Sequence, residues 1–122
     1  MGKVVGVGGI FLRARDPEVL KNWYVQTLGV PLTSDGYPGF DGPEAAGMTI
    51  FACFPEDTGY FGEQTQRVMV NFRVDSLDEV VARLTEAGAR VDPKQESFPY
   101  GKFAWFWDPE GNRVELWEPL HD

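Results

Sequence analysis

From Val4 to Ala14 the chain is dominated by Val, Ile, Phe and Leu, which predicts a strand. Asp16-Pro17 supplies a capping acid followed by a proline suited to the first helical position. Val19, Leu20, Trp23, Tyr24 and Leu28 then recur at three- and four-residue spacing, predicting a helix with one apolar face that Gly29 ends. Glycine and proline punctuate residues 31–66, where Gly47 to Phe54 reads as a strand and Pro55 to Gly62 as a loop holding Tyr60 and Phe61. Arg67 to Val74 alternates cleanly. Val68, Val70, Phe72 and Val74 take the helix-facing side, and Arg67, Met69, Asn71 and Arg73 the opposite, semi-polar one. Ser76 and Glu79 form a capping box ahead of a second helix, whose face is Leu77, Val80, Val81 and Leu84 and whose stop is Gly88. A short strand near Arg90 and Val91 follows. Then comes a hairpin: Phe103 to Trp107, a turn at Asp108-Pro109-Glu110-Gly111-Asn112, and a strand from Arg113 to Glu118. On that last strand Val114 and Leu116 face the helices; Arg113, Glu115 and Trp117 face away.

The two halves repeat each other. Strand, acidic stretch, helix and glycine stop recur from Asp16–Gly29 to Asp75–Gly88, and Ile10 and Leu12 align with Val70 and Phe72. An internal duplication of a βαβββ unit accounts for this, with one module spanning about residues 1–60 and the other about 65–122 of a single domain.

Composition narrows the chemistry. With 122 residues, 43% hydrophobic and 25% charged, the chain has the make-up of a globular domain. Its net charge of −8 opposes nucleic acid and anionic membrane as partners. No apolar run approaches the ~20 residues of a spanning helix, and the N-terminus has no signal-peptide core, so a cytoplasmic location is expected. A single Cys53 excludes internal disulfides and multi-cysteine zinc sites, and a single His121 excludes a two-histidine centre within one chain. The glycines of the first strand do not form a phosphate loop. Position 11 is Phe11 where the dinucleotide pattern requires glycine, and they lie inside a strand rather than at a strand-to-helix turn.

Three segments carry a family resemblance: D-P-x-x-x-x-x-W-Y-x-x-x-L-G (Asp16–Gly29), N-F-R-V-D-S-L-D (Asn71–Asp78) and D-P-E-G-N-R-V-E-L-W-E-P (Asp108–Pro119). Together the chain resembles the vicinal oxygen chelate superfamily, which includes glyoxalase I, bleomycin-resistance proteins and extradiol dioxygenases. The resemblance implies an α+β fold in which two βαβββ modules form a curved, mixed, eight-stranded sheet around a cup. It also implies a homodimer, and in many members a divalent metal in the cup. Of the positions that usually supply ligands, the first-strand one is Gly9, its counterpart in the second module is Met69, and only the final-strand Glu115 is retained. Glycine offers no ligand and a thioether suits soft Cu(I), so no divalent metal or other cofactor is expected.

Glu115 is therefore the candidate catalytic group, a carboxylate among aromatics that could shuttle a proton. Met69, Asn71, Arg73, Trp105, Trp117, Arg113, Tyr60 and Tyr100 are candidates to contact a ligand. The leading expectation is a binding protein that holds a small molecule in an aromatic-lined cup without metal. The alternative is a lyase or isomerase acting on a small oxygenated substrate, with Glu115 as acid/base or as the one retained metal ligand.

Overall fold

The computed structural model describes residues 2–42 and 47–120. His121 therefore lies outside the described residues. Seven strands and two helices follow one another as β1 (Val4–Ala14), α1 (Pro17–Leu28), β2 (Gly39–Phe40), β3 (Thr49–Pro55), β4 (Val68–Val74), α2 (Leu77–Glu86), β5 (Arg90–Phe98), β6 (Gly101–Trp107) and β7 (Arg113–Pro119). The fold is α+β with mixed strand pairing. Its residues gather into two compact units, Val7–Val70 and Met1–Gly6 with Asn71–Asp122.

In the Val7–Val70 unit, β1 pairs in parallel with β3, Gly9 opposite Ile50 and Ala14 opposite Pro55, and β2 pairs antiparallel with β3. The resemblance implied eight strands; seven are found among the described residues. Between α1 and β2 a single bridge joins Leu32 and Pro38. Proline has no N–H to extend a ladder, so the pairing does not propagate. Helix α1 starts and stops as its sequence dictates. Asp16 accepts from the Val19 N–H at 3.2 Å, and Gly29, at φ 72°, returns its N–H to the Tyr24 carbonyl. Its apolar face, however, is not buried. No α1 residue is fully covered, and Val19, Trp23 and Leu28 are exposed. Tyr24 joins the helix to β3, its ring meeting Phe51 edge-on at 4.8 Å.

One buried cation organises this unit. Arg13, only 4% exposed, donates to the carbonyls of Gln66 (2.7 Å), Glu56 (2.8 Å), Thr58 (2.7 Å) and Glu63 (3.1 Å), while its guanidinium lies 5.0 Å from the centre of the buried Phe61 ring. The five donors of an arginine fork satisfy loop carbonyls that no strand ladder serves.

In the other unit β4 pairs in parallel with β7, β7 antiparallel with β6, and β6 antiparallel with β5. Thus β1 pairs in parallel with β3 as β4 does with β7. Strand β5 is longer than its short apolar core predicts: it runs nine residues, with an irregularity between Val91 and Gln95 at Pro93, which an edge position tolerates. The β6–β7 turn is closed by Asp108. Its Oδ1 accepts from the N–H groups of Glu110 and Asn112, each at 2.9 Å, and Gly111 takes φ 87°. Ser76 caps α2 through the Glu79 N–H, and Glu118 on β7 accepts the Leu77 N–H at 2.7 Å. The core lies on one face of this sheet: Val74, Ala104 and Leu116 pack with Leu77 and Val80 of α2, flanked by Phe72, Val81, Leu84 and Phe106.

Arg13→Lys keeps the charge but cannot reach four carbonyls. It is expected to lower stability by about 2–4 kcal/mol, since buried carbonyls are left unmatched. A glutamate-specific protease should then cut at Glu56 and Glu63 well below the melting temperature. Cleavage no faster than in the parent protein would contradict this role for Arg13.

Candidate functional site

Strand alternation sends the residues not used in the α2 core to the opposite face of β4, β7 and β6. The parallel register places Asn71 beside Glu115 and Arg73 beside Trp117. The antiparallel register places Trp105 on the other flank of Glu115, Phe103 beside Trp117 and Trp107 beside Arg113. Six predicted site residues, Asn71, Arg73, Trp105, Arg113, Glu115 and Trp117, therefore share one strand face.

Glu115 is at its centre, 2% exposed. Its Oε1 accepts from Asn71 Nδ2 at 2.6 Å and its Oε2 from Trp105 Nε1 at 3.0 Å. Asn71 is 2% and Trp105 0% exposed, so the clasp is sealed from water on both flanks. Both donors are neutral. Burial therefore dominates, and it raises the carboxyl from 4.5 to about 8. Near neutral pH the group keeps its proton, which makes it a carboxylic acid able to donate as well as accept. Asn71 Oδ1 and Trp117 Nε1 are buried with no hydrogen-bond partner.

The arginines have distinct roles. Arg113 pairs with Asp92 at 3.1 Å and lies over Trp107 and Trp105, at 5.0 and 5.5 Å from the ring centres. Arg90 covers Trp107 at 3.8 Å. Arg73 is buried, and its guanidinium occupies the space that a Cβ at Gly6 would need. Trp117 stacks on Phe103 with centroids 6.1 Å apart, and Phe103 meets the edge of Tyr100, itself 60% exposed and stacked on Phe98. Tyr100 is thus the open end of an aromatic row that begins at Trp117. Tyr60 lies in the Val7–Val70 unit, stacked on Phe54 at 5.5 Å. Met69, 0% exposed, precedes Asn71 by two positions on β4.

The contributions of Arg90, Asp92 and Phe103 are absent from the sequence reading. They depend on the full length of β5 and on its register with β6, which are non-local. The one available signal was alternation: Phe103 has the same parity as Trp105 and Trp107.

The residues do not fit a divalent cation. A Cβ at Gly9 would meet the Phe11 ring at 2.6 Å and the Ile50 carbonyl at 3.2 Å, so this position cannot even carry a ligating side chain without rearrangement. Met69 offers a thioether. The Glu115 carboxyl is already engaged by two N–H donors. Among the described residues no three His, Cys, Asp or Glu side chains converge as a ligand group.

The elevated pKa of Glu115 makes stability depend on pH. The native state holds a proton between 4.5 and about 8 that the unfolded chain has released. Its stabilising contribution is complete below 4.5 and is lost as pH rises through about 8. The slope is about 1.4 kcal/mol per pH unit, or about 5 °C per unit in melting temperature for a domain of this size. Glu115→Gln, neutral at every pH, should flatten melting curves measured from pH 5 to 8 relative to the parent. Equal slopes for the two proteins would refute a buried, protonated Glu115.

A family model described as a glyoxalase-like domain matches residues 9–117. Comparison with curated proteins gives no sequence match. Among solved structures, a methylmalonyl-CoA epimerase from Mycobacterium tuberculosis superposes with a TM-score of 0.71 at 20% identity, covering 97% of this chain and 90% of that one. A Streptomyces coelicolor methylmalonyl-CoA epimerase variant in complex with 2-nitronate-propionyl-CoA gives a TM-score of 0.75 at 14% identity, covering 98% and 100%. A Legionella pneumophila structure described as an NAD-dependent benzaldehyde dehydrogenase gives 0.62 at 13% identity, covering 92% and 98%. At such identities these likenesses establish the fold. With the family model spanning most of the sequence, the chain belongs to the glyoxalase-like family of the vicinal oxygen chelate superfamily.

Proposed function

We propose that this protein binds a small organic molecule against the aromatic face of β4, β7 and β6 without recruiting a divalent metal. The observation that carries the reading is the Asn71–Glu115–Trp105 clasp. The carboxyl group at the position the resemblance gives to a metal ligand is turned inward to neutral donors and keeps its proton at pH 7. The aromatic row from Trp117 through Phe103 to Tyr100 offers flat surface for a planar or apolar ligand body. The same reading has the protein act as a homodimer in the cytoplasm. Methylmalonyl-CoA epimerases among the structural neighbours make short acyl-CoA thioesters sensible first members of a ligand panel.

A second reading, a lyase or isomerase using Glu115 as acid/base, is favoured by one specific feature. A carboxyl that titrates at about 8 exchanges its proton close to physiological pH. In that case turnover that needs the acid form falls as pH rises through about 8.

The two readings separate in one series of experiments. Panel compounds that raise the melting temperature should do so equally in EDTA and in added Mn(II), Ni(II) or Zn(II). Metal analysis of the purified protein should find less than one ion per chain. Stabilisation that requires metal, or stoichiometric metal retained through purification, would overturn the metal-free reading. For any compound bound, Glu115→Gln should preserve most of the stabilisation if the protein only binds. Loss of product formation by a folded, ligand-binding Glu115→Gln would establish the catalytic reading instead.

A further inference from the structure

A second feature lies outside the Glu115 face, within the Val7–Val70 unit. Where the end of β1 turns into α1, the surface opens into a cleft of about 600 Å³ bordered by Arg13, Arg15, Asp16, Leu20, Trp23 and Arg67, with Val19 beside them. This volume falls in the range of sites for small organic ligands.

Its charges are unevenly committed. Arg13 is consumed by the loop carbonyls it supports. Asp16 faces the first turn of α1, where it caps the Val19 N–H. Arg15 and Arg67 are exposed, and among the described residues the guanidinium of Arg67 donates to the Arg13 carbonyl at a long 3.5 Å. On a chain of net charge −8, two exposed arginines bordering one cleft run against the protein's overall field.

The other wall is apolar. Val19, Leu20 and Trp23 fall at helical spacing on α1, with Val19 64% and Trp23 49% exposed. This is part of the apolar face read from the helical spacing, and the fold leaves it open. Cations on one side and uncovered hydrocarbon on the other are complementary to a molecule with an anionic head and an apolar body.

We propose that this cleft is a second ligand site, binding a small amphipathic carboxylate with its head on Arg15 and Arg67 and its body on Val19, Leu20 and Trp23. Guanidinium groups pair with carboxylates through two parallel N–H bonds, which gives a selectivity for anions that apolar contact alone lacks. Repulsion between two chains of net charge −8 disfavours a second copy of this chain as the occupant.

Anilinonaphthalene sulfonate, an amphipathic anion that fluoresces when desolvated, serves as the probe. Titration into the full chain should show saturable enhancement, displaced by octanoate and not by octylammonium. The double variant Arg15→Glu/Arg67→Glu alters only exposed side chains and should keep the parent melting temperature. Its affinity for the probe should fall by at least about tenfold, the scale of one lost charge-assisted contact. Trp23→Ala should weaken the probe and octanoate together. No saturable binding, binding unchanged in the double variant, or equal displacement by octylammonium would each overturn the proposal. So would a parent that scatters light as a dimer, excludes the probe, and becomes monomeric in the double variant, because the cleft would then be an interface between copies.

Discussion

Desolvation of one carboxyl group governs the chemistry of the aromatic face. Glu115 is placed between Asn71 and Trp105 by two strand registers, one parallel and one antiparallel. Two neutral N–H donors cannot offset the loss of hydration of a full negative charge, so the proton stays on. Glu115 therefore presents a carboxylic acid to its own neighbours, Asn71 and Trp105. Gly9 is overlaid by the Phe11 ring and Met69 is fully buried.

Much of this was legible in the sequence because the relevant physics is local. Alternation in Arg67–Val74 and Arg113–Glu118 sorts core from opposite face without tertiary information, and the core of Phe72, Val74 and Leu116 with α2 follows that parity. The Asp108–Asn112 turn and the Asp16 and Ser76 caps are short-range hydrogen-bond motifs, and each forms as read. The glycines of β1 mark close approach rather than a phosphate loop, as the Arg73 guanidinium against Gly6 illustrates.

What the sequence did not reveal depends on partners distant in the chain. The amphipathic spacing of α1 is genuine, yet nothing in a periodicity says whether a surface will arrive to cover Val19, Trp23 and Leu28. Proline and glycine in residues 31–40 were visible as punctuation, but not their consequence, a lone Leu32–Pro38 bridge. Arg13 resembled any other cation on a strand. Its engagement by four carbonyls follows from the path of the Pro55–Arg67 segment, which no local pattern encodes. Likewise the Asp92–Arg113 pair and the Arg90–Trp107 contact depend on the β5–β6 register beyond its irregularity.

The most direct test of the account is the titration of Glu115 itself, followed by the carbon-13 shift of its side-chain carboxyl in protein labelled at glutamate. Comparison with Glu115→Gln assigns the resonance. The account predicts a midpoint near 8, displaced far above the ordinary value of 4.5. A midpoint at or below 4.5 would mean that Glu115 is ionised at neutral pH, contradicting the protonated, inward-turned carboxyl on which the metal-free reading depends.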